Sequence, residues 1–442
     1  MEVSRIRALR GPNLWSRNTA IEAIVSCAGT ESSIGAMPGF EARLRARFPE
    51  IGFLQPAGHQ GDVSMAHVLE VAALSLQKQA GCLVTFSRTV QTVEAGMFQV
   101  VVEYGEEAVG RLALEIAQAL CDSAVQDTAF DLQNALTRLR ELDEDERLGP
   151  STGSIVQAAL ARGIPYRRLT AGSMVQFGWG SQQRRIQAAE TDGTSAIAQS
   201  IAQDKELTKK LLDAAGVPIP FGRPVLDADD AWAAAEEIGL PVVVKPQDGN
   251  QGKGVTVNVA SREHLQIAYA AAKSISSSVM VERYLPGHDY RLLVVGGKVV
   301  AAARRDPPQV VGDGVHSVRE LVDIVNSDPR RSEGHATAQT KIGLDTIAVA
   351  RLSLQGFSSI SVPQQGCRVI LRNNANLSTG GSATDVTDDV HAEVAARAVA
   401  AAQMIGLDIC GVDLVCDSLL RPLEEQGGGA LEVNAAPGLR MH

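Results

Sequence analysis

The sequences GVDL at residues 411–414 and LEVN at residues 431–434 are two short apolar segments in the last part of the chain. Short runs of this kind predict β-strands. Glu432 and Asn434, two positions apart on one strand, point to the same face. Asp413 lies among apolar neighbours, where a carboxylate without a partner is costly, which disfavours the alternative of polar residues alternating on an edge strand. Carboxylate and amide oxygens are ligands of Mg²⁺, so Asp413, Glu432 and Asn434 form a candidate magnesium site.

A second informative segment lies upstream, where the apolar run VVVKP at residues 242–246 continues into the glycine-rich sequence QDGNQGKGV. Lys245 ends the predicted strand, where an unpaired ammonium would be costly and a phosphate would supply the counter-charge. Gly249, Gly252 and Gly254 allow backbone N–H groups to approach a phosphate closely. The alternative is a surface hairpin with a lysine that extends into solvent. The spacing differs from the G-x-x-x-x-G-K-[ST] phosphate loop.

Between these two segments, the sequence VMVERYL at residues 279–285 predicts a strand that breaks at Pro286 and Gly287. A hinge at this point offers backbone groups to an adenine edge, and an acidic residue there can bind ribose hydroxyls. The candidate nucleotide contacts are Glu282, Arg283, Leu285 and Asp289. A lysine, a glycine-rich segment, a hinge strand and an acidic metal pair, in this order, resemble the ATP-grasp ligases. This resemblance implies ATP and Mg²⁺ as cofactors and an ATP-grasp fold.

Further candidate residues flank these motifs. Lys205 begins an amphipathic pattern at residues 204–212, before a GVPIP turn, which is where ATP-grasp enzymes place a second phosphate-binding lysine. Arg291 follows the hinge and is either structural or stabilises charge on a transferring phosphoryl group. The polar sequence RNNANLSTGGS at residues 372–382 is rich in hydrogen-bonding groups and suits a peptide or carboxylate substrate. Its candidate substrate contacts are Asn376, Ser378, Thr379 and Gly380.

The overall composition narrows the class of protein. The net charge is −10 with acidic and basic residues interleaved, which disfavours a nucleic-acid surface. Local arginine pairs, such as residues 304–305 and 330–331, suit small anions or an acidic peptide. Six cysteines without C-x-x-C spacing indicate neither a zinc site nor a disulfide framework. No apolar run is long enough for a membrane helix, so we expect no membrane partner and a cytoplasmic location.

The length of 442 residues suggests two or three domains. Strands are predicted at residues 51–54, 82–86 and 97–104, and helices at 64–80, 106–123 and 130–142. The sequence GPSTG at residues 149–153 is expected to break any helix. The predicted division is therefore an α/β N-terminal domain at residues 1–150 and an ATP-grasp domain at residues 151–442. Further helices are predicted at residues 154–162, 204–212, 228–238, 261–273, 318–324 and 388–405.

Several longer segments resemble the cyanophycin synthetase family. In residues 151–442 these are KPQDGNQGKGV, NLSTGGSATDVTD and EVNAAPGLRMH, and in residues 1–150 they are FSRT at 86–89 and the run at 98–109. The resemblance implies a ligase that activates a peptide C-terminal carboxylate as an acyl phosphate and adds aspartate or a dipeptide. It also implies that Ser151 helps to bind the acceptor, that Arg291 stabilises the tetrahedral intermediate, and that the protein is a homo-oligomer. The expected partners are a peptide or cyanophycin-like polymer and an amino acid.

The sequence departs from the pattern of this family at several positions. The family's first domain often carries an H-x-x-E-H metal motif, whereas His67 and Glu70 are followed here by Val71. Gln251 stands where many relatives have His, and Gln199 where they often have Glu. The family's Mur-ligase-like third domain, with a GTNGKT phosphate loop, has no counterpart in this sequence. The alternatives are therefore a catalytically weakened polymer-binding or scaffold relative, and another ATP-grasp peptide ligase resembling glutathione synthetase.

Overall fold

The computed structural model describes residues 1–55, 63–247, 254–332 and 339–442. The chain divides into two compact units. The first consists of residues 1–149 and 153–183, and the second of residues 150–152 and 184–442. The division of the sequence into domains at residue 150 stays a prediction. Among the described residues, no helix is long and apolar enough to cross a membrane.

The first unit is built on an antiparallel sheet with the strand order β1–β2–β4–β3. Its elements are β1 (Glu2–Leu9), β2 (Ala20–Ser26), α1 (Phe40–Arg47), α2 (Met65–Ala80), β3 (Ser87–Gln91), β4 (Met97–Glu103), α3 (Glu107–Gln126) and α4 (Leu132–Glu146). Alternate residues of β2, namely Ile21, Ala23 and Val25, point into one core, as expected for a strand with one buried face. Helices α2 and α3 pack together and contribute to the same core.

The helical predictions for this unit are confirmed by α2, α3 and α4, and the strand predicted at 97–104 by β4. The strands predicted at 51–54 and 82–86 are wrong, because both segments lack regular structure. Ile51 and Leu54 are nevertheless buried in the core, at 5% and 3% exposure. A short apolar run fits a loop that is anchored in the core as well as it fits a strand, so periodicity alone does not separate the two.

The helix break expected at residues 149–153 is also wrong. Helix α5 (Pro150–Ala161) starts inside that segment, with the proline in its first turn. Proline is favoured at this point because its missing N–H has no partner there in any helix and its φ already suits the helix. The segment therefore begins a helix rather than interrupting one, and the helix predicted at 154–162 corresponds to the later part of α5 and its C-cap. The strands β5 (Tyr166–Arg168) and β6 (Met174–Phe177) then pair antiparallel.

The second unit alternates strands and helices. Its elements are β7 (Arg184–Gln187), β8 (Glu190–Thr191), α6 (Ala196–Gln203), α7 (Lys205–Ala214), β9 (Gly222–Val225), α8 (Ala228–Ile238), β10 (Val242–Pro246), β11 (Thr256–Val259), α9 (Arg262–Lys273), β12 (Val279–Arg283), β13 (His288–Val295), β14 (Lys298–Asp306), β15 (Gln309–Val311), α10 (Val318–Asn326), β16 (Arg331–Ser332), β17 (Gln339–Thr340), α11 (Thr346–Leu354), β18 (Arg368–Ile370), β19 (Ser382–Asp385), α12 (Ala392–Ile405), β20 (Ile409–Cys416) and β21 (Gly429–Ala435). The helices predicted at 204–212, 228–238, 261–273, 318–324 and 388–405 are confirmed, with small shifts at their ends.

Two antiparallel sheets position the candidate site of this unit. The first has the order β11–β10–β12–β9 and is covered by α8 and α9 through a core that includes Val242, Val244 and Val281. The second has the order β19–β14–β13–β20–β21 and packs on α12. Because the side chains of a strand alternate between faces, the pairing register decides which of them meet.

The segment between β14 and β19 forms a substructure with its own core. Strands β15 and β18 pair antiparallel, and α10 and α11 pack with them around residues such as Val310, Leu321 and Leu352. The chain leaves the second sheet after Asp306 and re-enters it at Ser382, and these two residues are direct partners in the ladder. The segment is thus inserted at a single point of the sheet.

Candidate functional site

Lys245 lies on β10 in a buried cluster of three charged side chains. Its Nζ is 2.8 Å from Oε2 of Glu282, which lies on the neighbouring strand β12 and is 3% exposed. The other carboxylate oxygen of Glu282 accepts a hydrogen bond from Nζ of Lys209 on α7. Burial by itself raises the pKa of Glu282, but Lys245 and Lys209 together hold it below its usual range. The cluster carries two cationic groups and one anionic group.

The three predicted magnesium ligands lie together on adjacent strands. Asp413 of β20 and Glu432 of β21 are partners in the ladder. The Asn434 amide donates to Oε1 of Glu432 at 3.2 Å and to Oδ2 of Asp413 at 3.5 Å. Nζ of Lys205, at the start of α7, is 3.6 Å from Oε2 of Glu432. The predicted metal ligands and the predicted second phosphate-binding lysine are therefore neighbours.

Asp413 is held by two arginines on the strands beside it. Nε of Arg291 on β13 donates to one carboxylate oxygen, and its Nη2 donates to the other at 3.0 Å. Nη2 of Arg305 on β14 lies 3.4 Å from the same carboxylate. Burial alone would raise the pKa of Asp413, but the charge of Arg291 and then that of Arg305 keep it lowered. Gly411 makes room for Arg291, since a Cβ there would lie 2.6 Å from Nη1.

This donor set fits a magnesium ion. It offers two carboxylates and the amide of Asn434. A half-turn of this amide would exchange Nδ2 for Oδ1, which can bind a cation, and the two orientations differ only in their hydrogen bonds. An ionised carboxylate has about four lone-pair sites, so Asp413 can accept from both arginines and still offer an oxygen. Within the described ranges, no group of three or more His, Cys, Asp or Glu side chains could hold a metal, so the third protein ligand of this candidate site would have to be the amide of Asn434.

The predicted hinge lies between β12 and β13. The backbone N–H of Arg283 donates to the carbonyl of Phe221 at 2.8 Å, and its side chain is exposed. Leu285 lies next to Gly429. Asp289 is 3.9 Å from Nη2 of Arg305, and burial is the first cause of its raised pKa. The Glu282 side chain is bound to two lysines, whereas the Asp289 side chain is 42% exposed.

The predicted substrate loop contains a single 3₁₀ turn, Leu377–Thr379. The carbonyl of Asn376 accepts from the N–H and the hydroxyl of Thr379, at 3.1 and 2.9 Å. Gly380 has a φ of 97°, a conformation that favours glycine. Ser378 is exposed. The loop is thus folded on its own backbone and presents the Ser378 side chain outward.

A path of hydrogen bonds connects Ser151 with this loop. Oγ of Ser151 accepts from the N–H of Leu439 at 3.0 Å, and the next residue, Arg440, donates to Oγ1 of Thr340 at 3.3 Å. Arg331 donates from Nη1 to the carbonyls of Thr340 and Gly380, at 2.7 and 3.0 Å. The predicted substrate residues thus belong to one connected region, although Ser151 contacts the loop only through these intermediates.

Part of the predicted phosphate loop lies outside the described residues, namely Gly249, Gly252 and also Gln251. Gly254 is described and has a φ of 72°, and a Cβ there would lie 3.0 Å from Ile275. A glycine is therefore required at this position by the turn itself.

Lys245 and Asp413 both have counter-charges that the local sequence does not predict, and their roles in the site stay predictions. Lys245 was expected to lack a counter-charge, and it has Glu282. Asp413 was expected to lack a partner, and it has Arg291 and Arg305. In both cases the partner is on a neighbouring strand far away in sequence, so burial of the charge could be predicted from the local pattern but its neutralisation could not.

Two charged residues of the site were missed. Lys209 is one of three lysines within a short helix, and only its place on the buried side of α7, with Thr208 and Leu212, distinguishes it from Lys210. Arg305 belongs to the arginine pair at residues 304–305, and its ion pair with Asp413 depends on the strand order β14–β13–β20. The amphipathic pattern of α7 was the one signal that would have identified Lys209.

In the first unit, His67 and Glu70 lie one turn apart on α2. Nδ1 of His67 is 2.9 Å from Oε2 of Glu70. Burial by itself raises the pKa of Glu70, but the hydrogen bonds from His67, Ser87 and Thr89 lower it below its usual range. This carboxylate is therefore engaged with three polar side chains, and Val71 adds no ligand atom beside it.

Comparisons with known proteins cover both units. Residues 30–126 match the cyanophycin synthase-like N-terminal domain, and residues 204–295 match the ATP-binding domain of the carbamoyl-phosphate synthase L chain. Cyanophycin synthetase from Nostoc sp. is 42% identical over the whole of this chain and 51% of its own length. Cyanophycin synthetase from Synechocystis sp. is also 42% identical, over the whole of this chain and 53% of its own length. The chain thus spans about half the length of these relatives.

Among solved structures, the bifunctional glutathione synthetase from Pasteurella multocida matches with 31% identity and a TM-score of 0.53. The match covers 74% of this chain and 46% of that protein. Together with the sequence relatives and the two matched domains, it confirms the mixed α/β architecture with an ATP-grasp fold. The chain is similar to cyanophycin synthetases over its whole length, and it combines a cyanophycin synthase-like N-terminal domain with an ATP-grasp domain.

Proposed function

We propose that this chain is an ATP-dependent ligase that joins a peptide C-terminal carboxylate to the amine of aspartate or of a dipeptide. One observation carries the proposal. Lys205 lies next to Glu432, whose neighbours Asn434 and Asp413 complete a set of oxygen ligands on β20 and β21. A cation that can bind phosphate next to oxygen ligands that can bind Mg²⁺ is what phosphoryl transfer from ATP requires.

The nucleotide would be held by residues from several elements. Lys205 and Lys245 would bind its phosphates, together with backbone N–H groups of the glycine-rich segment. The hinge after β12 would contact the adenine, and Asp289 the ribose. Mg²⁺ held by Asp413, Glu432 and Asn434 would neutralise charge on the phosphates during transfer.

The reaction would run in two steps. A carboxylate oxygen of the acceptor peptide bonds to the γ-phosphorus while the bond to the bridging oxygen breaks, and ADP leaves. The amine nitrogen then attacks the acyl carbon of this acyl phosphate, phosphate leaves with the C–O electron pair, and the amine loses a proton. Arg291 binds Asp413 through Nε and Nη2 and has further N–H donors for the charge that develops on oxygen.

The acceptor would be an aspartyl peptide or a cyanophycin-like polymer. Support comes from the exposed Ser378 on its ordered loop and from the hydrogen-bond path between that loop and Ser151. The relatives that match the whole chain are cyanophycin synthetases. We propose that the first unit binds the same polymer and that the protein acts as a homo-oligomer in the cytoplasm.

Lys245→Met tests the ATP site. The substitution keeps most of the side-chain stem and removes the charge that would face the phosphates. A hydrogen bond to a charged group contributes about 1.5–3 kcal/mol, so nucleotide affinity measured by calorimetry should fall by about tenfold or more. The matched control is Lys298→Met, at the exposed start of β14, which should bind nucleotide like the wild type. Unchanged affinity in folded Lys245→Met protein would contradict the assignment.

Product analysis tests the reaction itself. Mass spectrometry of mixtures containing ATP, Mg²⁺, a short aspartate–arginine primer and single amino acids should show the primer extended by one unit, with one ADP formed for each bond. ATP hydrolysis or polymer binding without extension of any primer would instead favour a polymer-binding relative with weakened catalysis. Extension of a γ-glutamyl peptide in place of the aspartyl primer would favour a ligase resembling glutathione synthetase.

A further inference from the structure

The cluster of Lys209, Glu282 and Lys245 contains one cation more than the proposed ATP site uses. Glu282 divides its two oxygens between the lysines, with Oε1 bound to Lys209 and Oε2 to Lys245. The side chain of Lys209 is 10% exposed and that of Lys245 is 20% exposed. Lys209 is anchored on helix α7, whereas Lys245 lies on the strand that runs into the glycine-rich segment. The two lysines therefore have different access to a bound nucleotide.

The charge balance of this cluster changes when a phosphate arrives. If Lys245 turns its ammonium group to the phosphate, Glu282 loses one of its two partners while it stays buried. A buried carboxylate without a cation is costly, and it would also repel the phosphate. A cation that stays behind removes both penalties, and Lys209 is the second partner that Glu282 already has.

We propose that Lys209 is a positioning residue of the ATP site, which keeps Glu282 neutralised so that Lys245 is available to the phosphates. This inference rests on the proposed function. It assigns Lys209 no contact with the nucleotide, the metal or the acceptor. Its effect on affinity would pass entirely through the carboxylate of Glu282.

The electrostatics of Lys209 provide a readout that a purely structural role would not change. Burial first, and then the charge of Lys245, lower the pKa of Lys209 to about 8, against the opposing effect of Glu282. Among the described residues, the other elements packed on α7 show no further ion pair with Lys209. Helix α6 has no titratable side chain, and Glu432 of β21 lies near Lys205. On α12 the charged residues are Arg397, which pairs with Glu424, and Glu393.

This leads to a defined pH dependence. Lys209 is charged below its pKa and neutral above it, so nucleotide affinity should fall as the pH rises from 7 to 9.5. When a phosphate offsets the charge of Lys245, the pKa of Lys209 rises, so nucleotide binding near pH 8.5 should take up a proton. Calorimetry in two buffers of different ionisation enthalpy measures this proton. Lys209→Arg, which stays charged throughout, should show neither the fall nor the uptake.

Substitution provides the decisive comparison. Lys209→Met should lower nucleotide affinity by about tenfold at pH 7, because Glu282 then retains Lys245. The double variant Lys209→Met with Glu282→Gln removes both charges and should recover affinity to within about threefold of wild type, as expected for two residues that act as one unit. Lys210→Met is the matched control on the same helix, since Lys210 is exposed and pairs only with Glu206 among described contacts.

The outcomes separate this inference from the proposed function. Wild-type affinity in Lys209→Met, with affinity lost in Lys245→Met, overturns the inference and leaves the ATP site standing. Wild-type affinity in Lys245→Met overturns the ATP site itself. If Lys209→Met does not fold, Glu282→Gln is compared with the double variant. Equal nucleotide affinities of these two variants support the inference, because neither contains a carboxylate that Lys209 could neutralise. A tenfold difference between them overturns it by showing that Lys209 contacts the nucleotide.

Discussion

Glu432→Gln should reduce turnover by about 100-fold or more while nucleotide affinity changes by less than about threefold. The substitution keeps the shape of the side chain and removes a charge from the candidate metal site. A metal ion supplies several kcal/mol of transition-state stabilisation, and each ~1.4 kcal/mol is worth about a factor of ten in rate. Nucleotide affinity should change little, because Lys205, which lies 3.6 Å from Glu432, would no longer pair with a carboxylate and could bind the phosphates instead.

The measurement is ADP release at saturating nucleotide and primer, together with calorimetry of the nucleotide. Glu425→Gln, an exposed change on the turn before β21, is the control and should keep wild-type values in both. Wild-type turnover of Glu432→Gln at low Mg²⁺ concentration would rule out Glu432 as a ligand. A loss of affinity with wild-type turnover at saturating nucleotide would instead place Glu432 in nucleotide binding alone.

Asp413→Ala should destabilise the second unit by about 3–5 kcal/mol, because removal of one partner from a buried ion pair leaves uncompensated charge behind. Here the charges left are two guanidinium groups, on Arg291 and Arg305, whose side chains are each 10% exposed. The lowered pKa of Asp413 gives the matching pH effect. Its contribution to stability is present above the unfolded pKa of about 3.9 and is lost as the pH falls below it.

The measurement is native-state hydrogen exchange of the amides in β13 and β20, since a chain with two compact units does not unfold in one step. Asp388→Ala is the matched control, because this aspartate is exposed and its loss should cost less than about 0.5 kcal/mol. A loss of less than about 1 kcal/mol for Asp413→Ala would show that solvent, rather than Asp413, compensates the two arginines.

Local patterns were enough to predict most of the helices of this protein. The amphipathic spacing of α2, α7 and α9 and the capping residues Ser64, Asp204 and Ser261 are all local signals, and the structure contains each of them. The errors occur where local signals are ambiguous. Ile51 is apolar because its loop is anchored in the core, and Pro150 starts a helix at the position where it was expected to end one.

For the candidate site, the sequence shows which residue types are present but not how their charges are neutralised. Glu432 and Asn434 share a strand face, so their proximity follows from spacing alone. The pairing of Asp413 with Arg291 depends on which strands are neighbours and in which register, and these residues are partners across the β13–β20 ladder. No spacing rule connects positions so far apart, which is why the ion pairs appear only in the folded chain.

The insertion between β14 and β19 has a consequence for how homologues of this chain can diversify. Because Asp306 and Ser382 are ladder partners, the two ends of the inserted segment lie side by side. The entropic cost of closing such a segment grows only slowly with its length, so its length can vary. By contrast, the insertion or deletion of one residue within β13 or β20 would turn Arg291 or Asp413 to the opposite face of the sheet. The segment also ends with the loop of Asn376 and Ser378. Exchange of the segment between β14 and β19 among homologues should therefore transfer the preference for an acceptor. The strands that carry the proposed ATP-binding residues would not change.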